Sequence, residues 1–298
     1  MSILVDEKTT VIVQGITGRE GSARAGYMKA YGTNVVAGST PGRGGQKVSG
    51  IPVYDTVREA VEQHGPINAS VTFVPGPALR DAVLEAIEAG IKFIVSPVER
   101  VPLHDILEMV YVARQAGAKI LGPGSIGVIS PGKAVLGWLG ANPKWAAAVF
   151  PPGPIGVISR SGGQSGTVPW VIKEAGLGFT TVVHVGTEPV TGISMGEILE
   201  MFEKDTETKA VACFGEIGGP HEEEAAQVIR EKRVTKPFVI FVAGAWAPAG
   251  MRFSHASSII ERGKGSARDK IASLKEAGAY VVDLPDGIAP TIKELVAT

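Results

Sequence analysis

Cysteine is nearly absent. Cys213 is the only one in 298 residues, which excludes an intrachain disulfide framework and any CxxC metal or redox pair. Neither sign of charge dominates: 29 Lys plus Arg against 30 Asp plus Glu leave a formal net charge of -1. A general attraction to a polyphosphate backbone is therefore missing, and no nucleic acid is expected as a partner. No apolar run approaches the ~20 residues that cross a bilayer, and the segment from Met1 to Lys8 lacks a leader pattern. No membrane partner is expected, and a cytoplasmic location is the default. His64, His104, His184, His221 and His255 include no pair with zinc-site spacing, so no metal is assigned. A G-x-x-x-x-G-K-[ST] phosphate loop is also missing.

Glycine is what the chain has in excess, 39 of 298 residues, well above the ~7 % usual in globular proteins. Such a surplus belongs in tight turns where backbone approaches a ligand. The length suggests two domains of ~150 residues, each with its own core, and 44 % hydrophobic with 20 % charged residues describes a folded chain. β-branched runs at Thr10 to Gln14, Asn34 to Ala37, Ser70 to Val74 and Phe93 to Val95 alternate with helical patterns from Leu79 to Ala89 and from Leu103 to Ala116. That order predicts an α/β fold, a Rossmann-like parallel sheet over residues 1–130. From 131 to 153 the periodicity breaks at Pro131, Gly132, Pro143 and Pro151 to Pro154, which predicts a linker. A second, doubly wound parallel-sheet domain is expected over 154–298, with strands near Ile155 to Ser159, Thr180 to Val185, Ala210 to Phe214, Phe238 to Ala243 and Tyr280 to Leu284.

The first candidate site is Gly15-Ile16-Thr17-Gly18-Arg19-Glu20-Gly21, between a strand and a helix. Open amides and the positive end of the helix dipole favour an anion there. The G-x-x-G-x-x-G spacing is not the dinucleotide fingerprint, so a plain tight turn is the competing reading. The acid that binds ribose hydroxyls after the second strand is missing; Ser39-Thr40-Pro41-Gly42-Arg43-Gly44-Gly45 stands there instead. Arg43 suits a phosphorylated ribose, in NADP or in coenzyme A, or is an exposed loop arginine.

In the second half, Ser159-Arg160-Ser161-Gly162-Gly163, Gly186-Thr187-Glu188-Pro189, Gly215-Glu216-Ile217-Gly218-Gly219 and Gly244 to Gly250 follow strands and fall on one sheet edge, where open α/β sheets bind ligands. His255, in Arg252-Phe253-Ser254-His255-Ala256-Ser257-Ser258, follows the last of these loops. A neutral imidazole attacks phosphorus when a carboxylate orients its other nitrogen, and Glu216 lies on a neighbouring loop. A structural histidine is the competing reading. Ser161 has no nucleophile elbow and Cys213 sits in an apolar strand, which argues against a hydrolase.

Taken in order, Val13 to Gly18, Thr40 to Gly45, Ser159 to Gly162, Gly215 to Gly219 and the His255 segment resemble the α subunit of the ADP- or GDP-forming succinyl-CoA synthetase family along essentially the whole chain. The resemblance implies a Rossmann-like coenzyme A domain followed by a flavodoxin-like ligase domain whose histidine is phosphorylated in turnover. It places Thr17, Gly18, Arg19 and Glu20 on the coenzyme phosphates, with Arg43 where the family has lysine. Pro97, Val98 and Glu99 stand where the family has Ile-Thr-Glu, another coenzyme contact. Glu216 would hold the ring of His255, and the Ser161-Gly162 amides would stabilise the phosphohistidine, with Gly163 making the loop's double glycine resemble ATP citrate lyase and citryl-CoA synthetase.

Departures cluster around the acid site. The family tyrosine aligns with Gly166, Gly-Gly-Asp-Pro reads Gly186-Thr187-Glu188-Pro189, Asn-Cys-Pro after Gly-Pro reads Gly124-Ser125-Ile126, and the histidine's flanking glycines read Ser254 and Ser257. Loss of the tyrosine is expected to open volume for an acid larger or more polar than succinate, such as malate or citrate. The resulting expectation is an acid–CoA ligase α subunit that passes a phosphoryl group through His255. ATP or GTP with Mg²⁺ would be bound mainly by a β subunit with an ATP-grasp domain. The rivals are a coenzyme A- or nucleotide-sensing regulatory homologue without turnover and an NADP oxidoreductase.

Overall fold

A computed structural model describes residues 2–297 apart from 141, 249, 254 and 261–264. The first half alternates strand and helix as β1 (Thr10–Gln14), α1 (Arg19–Tyr31), β2 (Asn34–Ser39), β3 (Lys47–Val48), β4 (Ile51–Tyr54), α2 (Val57–His64), β5 (Ala69–Thr72), α3 (Leu79–Glu88), β6 (Phe93–Val95), α4 (Leu103–Gln115) and β7 (Lys119–Leu121). Its sheet has the order β3-β4-β2-β1-β5-β6-β7, parallel except for the β3–β4 pair. Strand order reverses between β1 and β5, so the loops at their carboxyl ends part and leave a crevice.

The second half contains β8 (Gly127–Ser130), β9 (Ala134–Gly137), α5 (Pro143–Val149), β10 (Pro152–Ser159), α6 (Gln164–Glu174), β11 (Phe179–His184), α7 (Met195–Lys204), β12 (Ala210–Glu216), α8 (His221–Arg230), β13 (Phe238–Ala243), α9 (Ala267–Ala277), β14 (Tyr280–Val282) and α10 (Ile288–Ala297). The order β14-β13-β12-β10-β11-β8-β9 holds five parallel strands in the flavodoxin arrangement, with the switch point between β10 and β12. Ser159 ends β10 and Glu216 ends β12, so the fold itself brings these two loops together.

Two expectations change. The interval 131–153, read as a linker, carries β9 and α5, and β8, read as part of the first domain, pairs antiparallel with β11 through Val182–Ile129 and Val183–Val128. The hairpin strands are buried at every position, so they lack the alternation that marks a half-exposed strand. The cores also divide by sheet face rather than by domain. Val11, Val13 and Val71 belong to a cluster that runs on through β8, β9 and the second sheet, whereas Ile12, Ile94 and Ile120 pack under α2, α3 and α4. Polar ties cross the seam: Thr33 Oγ1 donates to the Val135 carbonyl at 2.9 Å and accepts from its amide at 3.0 Å, and the Tyr27 hydroxyl donates to Leu139 O at 2.6 Å.

Candidate active site

The crevice of the first sheet is a cavity of about 830 Å³ lined by Thr17, Gly18, Thr40, Gly42, Phe73 and Val74, with Asp55, Asp81 and Glu85 among its other walls. Backbone closeness makes it. Gly15 has φ +77°, and a Cβ there would lie 2.3 Å from Phe73 O, so the turn admits glycine alone. Gly18 caps α1 without a side-chain hydrogen bond, which leaves the amides of the first turn facing the loop.

The expected coenzyme residues divide. Thr17 and Gly18 line the cavity. Arg19 is 94 % exposed and lies 3.6 Å from Glu20, and Arg43 stands exposed in the 40–46 turn, its amide donating to Thr40 O at 3.1 Å. Pro97, Val98 and Glu99 sit away from the cavity at the domain seam. There the Val98 carbonyl accepts from Gly124 N at 2.8 Å, and Glu99 Oε1 accepts from Thr187 Oγ1 at 3.3 Å. Gly76 bridges the two groups: a Cβ on it would touch Glu99 O and Val98 Cγ1, both at 3.9 Å, next to the cavity-lining Pro75.

At the second switch point, His255 Nε2 lies 2.7 Å from Glu216 Oε2, with the side chains only 12 % and 11 % exposed. Burial alone would raise the Glu216 carboxyl pKa, but hydrogen bonds from His255 and Ser258 and the nearby positive charge hold it below the ordinary value. Glu216 is therefore an anion at neutral pH. The Ser258 hydroxyl donates to the same oxygen at 2.8 Å. Ser161, Gln164, Glu216 and Ser258 line a cavity of about 210 Å³ walled by Trp246 and Phe253. On the other side of the histidine loop, Ser257, Arg252, Gly219 and Pro189 line one of about 470 Å³. Thr187 ties the seam to this loop, since its carbonyl accepts from Ser257 N at 3.2 Å.

The loop before α6 departs from expectation in one respect. The Ser161 amide donates to Ser159 Oγ at 3.1 Å and is already used; among the described residues the Gly162 and Gly163 amides have no such partner. Gly163 caps α6 without a side-chain bond, so the open end of the helix dipole is carried by the two glycines.

The other departures turn inward, toward packing. Gly166 faces Trp145, whose Cη2 would lie 3.1 Å from an added Cβ. It lines, with Gly162, Gly163 and Trp138, a cavity of about 180 Å³ that includes neither His255 nor Glu216. An added side chain at Gly166 would meet a neighbouring indole, and the space beside it lies apart from the histidine. Glu188 is 3 % exposed, and its Oε1 accepts from Arg100 N at 2.5 Å. Ser125 donates to His184 O and accepts from Gly127 N. Ser254 lies outside the described residues.

Sequence reasoning missed the groups under the loop. Arg160, Glu222 and Lys270 are fully buried. Arg160 Nη1 donates to the carbonyls of Glu216 and Gly218 at 3.1 and 2.8 Å and lies 3.2 Å from Glu222 Oε2; Lys270 Nζ lies 2.5 Å from the same carboxylate. Burial opposes the Glu222 charge, but Arg160 and then Lys270 overcome that and lower its pKa to about 2. His184, also buried, accepts from Ile126 N at Nδ1 and therefore donates from Nε2 to Arg160 O. Desolvation depresses its pKa to about 4, so it is neutral. The one cysteine is inert, because burial pushes the Cys213 thiol up. A cation at the end of an apolar strand, as in Ile158-Ser159-Arg160, is the signal that could have exposed this network.

The CoA binding domain model matches residues 6–99 and the CoA-ligase model residues 158–280. The chain is 47 % identical to a succinate–CoA ligase [ADP-forming] subunit alpha 2 of Archaeoglobus fulgidus over 99 % of this chain and all of that one. It is 45 % identical to a subunit of an ADP-forming sulfoacetate-CoA ligase of an Acholeplasma species, over 100 % and 99 %. In fold it matches ATP citrate lyase of Methanothrix soehngenii, solved with citrate and coenzyme A, at a TM-score of 0.90 and 24 % identity. That match covers 99 % of this chain, which spans half of the lyase chain. Domain models and full-length relatives together place the chain in the family of α subunits of nucleoside-diphosphate-forming, succinyl-CoA synthetase-type acid–CoA ligases.

Proposed function

We propose that this chain works with a β subunit to join a small acid to coenzyme A at the expense of ATP or GTP, with His255 as the phosphoryl carrier. The observation that carries the reading is the 2.7 Å approach of His255 to the ionised Glu216. It occurs beside a cavity that Ser161 and Gln164 line at the uncapped amino end of α6. An imidazole nitrogen attacks the γ-phosphorus and the nucleoside diphosphate leaves. The carboxylate balances the positive charge that the ring gains, and the positive end of the α6 dipole favours the phosphoryl oxygens. A substrate carboxylate then takes the phosphoryl group as an acyl phosphate, and the coenzyme thiol displaces inorganic phosphate to give the thioester.

Coenzyme A fits the crevice at Thr17 and Gly18, and its arm runs past Phe73 to Pro75 toward Val98, Glu99 and Thr187. That path ends on the loop that holds His255. The nucleotide and its Mg²⁺ belong to the β subunit, because this chain has no Walker-type loop. Glu188 and Ser125 are turned to packing and Gly166 opens on a cavity that includes neither His255 nor Glu216, so they do not argue for an acid larger than succinate. Relatives named for succinate and for sulfoacetate bracket the class as small dianions. Labelled ATP added to the assembled enzyme should leave acid-labile, base-stable phosphate on the chain, and adding coenzyme A with the right acid should discharge it. A His255→Asn complex that labels as well as wild type refutes the reading.

A further inference from the structure

Of the two cavities beside the histidine loop, the larger, of about 470 Å³, has been given no ligand so far. The residues on either side of His255 form a short hairpin. Arg252 and Ile259 bridge antiparallel at its base, and Phe253 N donates to Ser258 O at 2.8 Å. Arg252, Ala256, Ser257 and Ile259 of this hairpin line the cavity with Pro189 and Gly219. The cavity borders the histidine ring, because Ser257 Oγ is 3.1 Å from His255 Nδ1. It also borders the coenzyme path: two residues before Pro189, Thr187 donates to Glu99 at 3.3 Å. A molecule held here lies between the proposed phosphoryl carrier and the end of the path that brings the thiol.

Its charges are unbalanced. Glu223 lines the cavity, but Lys270 holds that carboxylate at 2.8 Å. Arg252 is exposed, and among the described residues its guanidinium has no carboxylate, hydroxyl or carbonyl partner. Pro189, Pro220, Ala256 and Ile259 make much of the remaining wall apolar. One free fork of donors beside apolar walls suits a molecule with a hydrocarbon body and an anionic end.

We propose that Arg252 binds the non-reacting anionic group of the acid, a carboxylate or sulfonate, in this cavity, and so makes the enzyme select dianions over monoanions of the same length. This rests on the ligase reading above and names a residue that sets its substrate class. With the distal group on Arg252, the other carboxylate is left at the His255 end, where it takes the phosphoryl group. A monoanion either leaves the guanidinium unpaired or turns its only carboxylate away from the histidine.

The test uses the enzyme assembled with its β subunit and follows thioester formation from succinate, malate, sulfoacetate and butyrate. Wild type should use at least one of the three dianions with a kcat/KM about tenfold or more above that for butyrate. In Arg252→Gln the value for that dianion should fall about tenfold or more, through KM, as a charge-assisted pair is lost. The butyrate value should stay where it was, so the preference collapses, and Arg252→Lys, which keeps the charge without the fork, should fall between. Labelling of the chain by ATP precedes the acid and should keep its rate. An enzyme that takes none of the three dianions, or takes butyrate equally well, overturns the proposal, as does an unchanged preference in Arg252→Gln. Slow labelling together with equal losses for dianion and butyrate would assign Arg252 to the frame of the hairpin and overturn it too. Thioester formed by a wild-type enzyme that never labels overturns the carrier reading instead, and the acid preference of the Arg252 variants still decides this one.

Discussion

The pairing of His255 with Glu216 was legible because both follow strands on one predicted edge. The charges beneath them were not, since Arg, Glu and Lys are read as surface residues unless a partner is known. Arg160, Glu222 and Lys270 lie 62 and 48 residues apart along the chain, and only the fold shows that each neutralises the other. Glu222→Gln should cost about 3–5 kcal/mol, because it leaves Arg160 without its buried carboxylate and Lys270 with only the part-exposed Glu223; urea unfolding of the two proteins measures it. His184 gives a pH signature. Its folded pKa of about 4 lies below the ordinary imidazole value of 6.5, so the unfolded chain binds the extra proton. Stability from this group is complete above 6.5 and lost as pH falls toward 4, a change on the order of 3 kcal/mol. The urea midpoint of wild type should drop between those limits, and the drop should shrink in His184→Gln.

Among the elements, strands buried on both faces and bounded by glycine loops were readable as short β-branched runs, and β1, β6, β10 and β13 stand where those runs fall. The β8–β9 hairpin was not, because Pro131 and Gly132 at its turn look like linker and its strands show no alternation. What joins the hairpin to the first domain is specific: one hydroxyl, Thr33 Oγ1, both donates to and accepts from Val135. Thr33→Val keeps the shape and leaves that backbone pair unsatisfied in a buried seam, which should cost about 1–3 kcal/mol in denaturant unfolding. A loss below the error of the measurement would show that water replaces the hydroxyl there. At the carboxyl end of β1, Gly15→Ala forces a Cβ against Phe73 O at positive φ. Coenzyme A binding, followed by calorimetry, should weaken at least tenfold as the turn moves.

For the molecule as a whole, one apolar cluster passes from the first sheet through β8 and β9 into the second. Two domains were expected from length and two are visible as sheets, but sequence periodicity carries no information on which sheet face meets which. A shared core makes the halves unfold together, so scanning calorimetry of the isolated chain should show one transition; two separated transitions would mean the seam contributes little. The same continuity places the coenzyme crevice and the histidine loop on one rigid frame, joined through Glu99, Thr187 and Ser257.

The most direct measurement is transfer of labelled γ-phosphate to the chain in the assembled enzyme, with the modified residue located by mass spectrometry under basic conditions. The account predicts one phosphate, on His255, strongly reduced in Glu216→Gln and discharged by coenzyme A with the acid substrate. Thioester formed at full rate by a His255→Asn enzyme, with no phosphorylated chain at any stage, would contradict it.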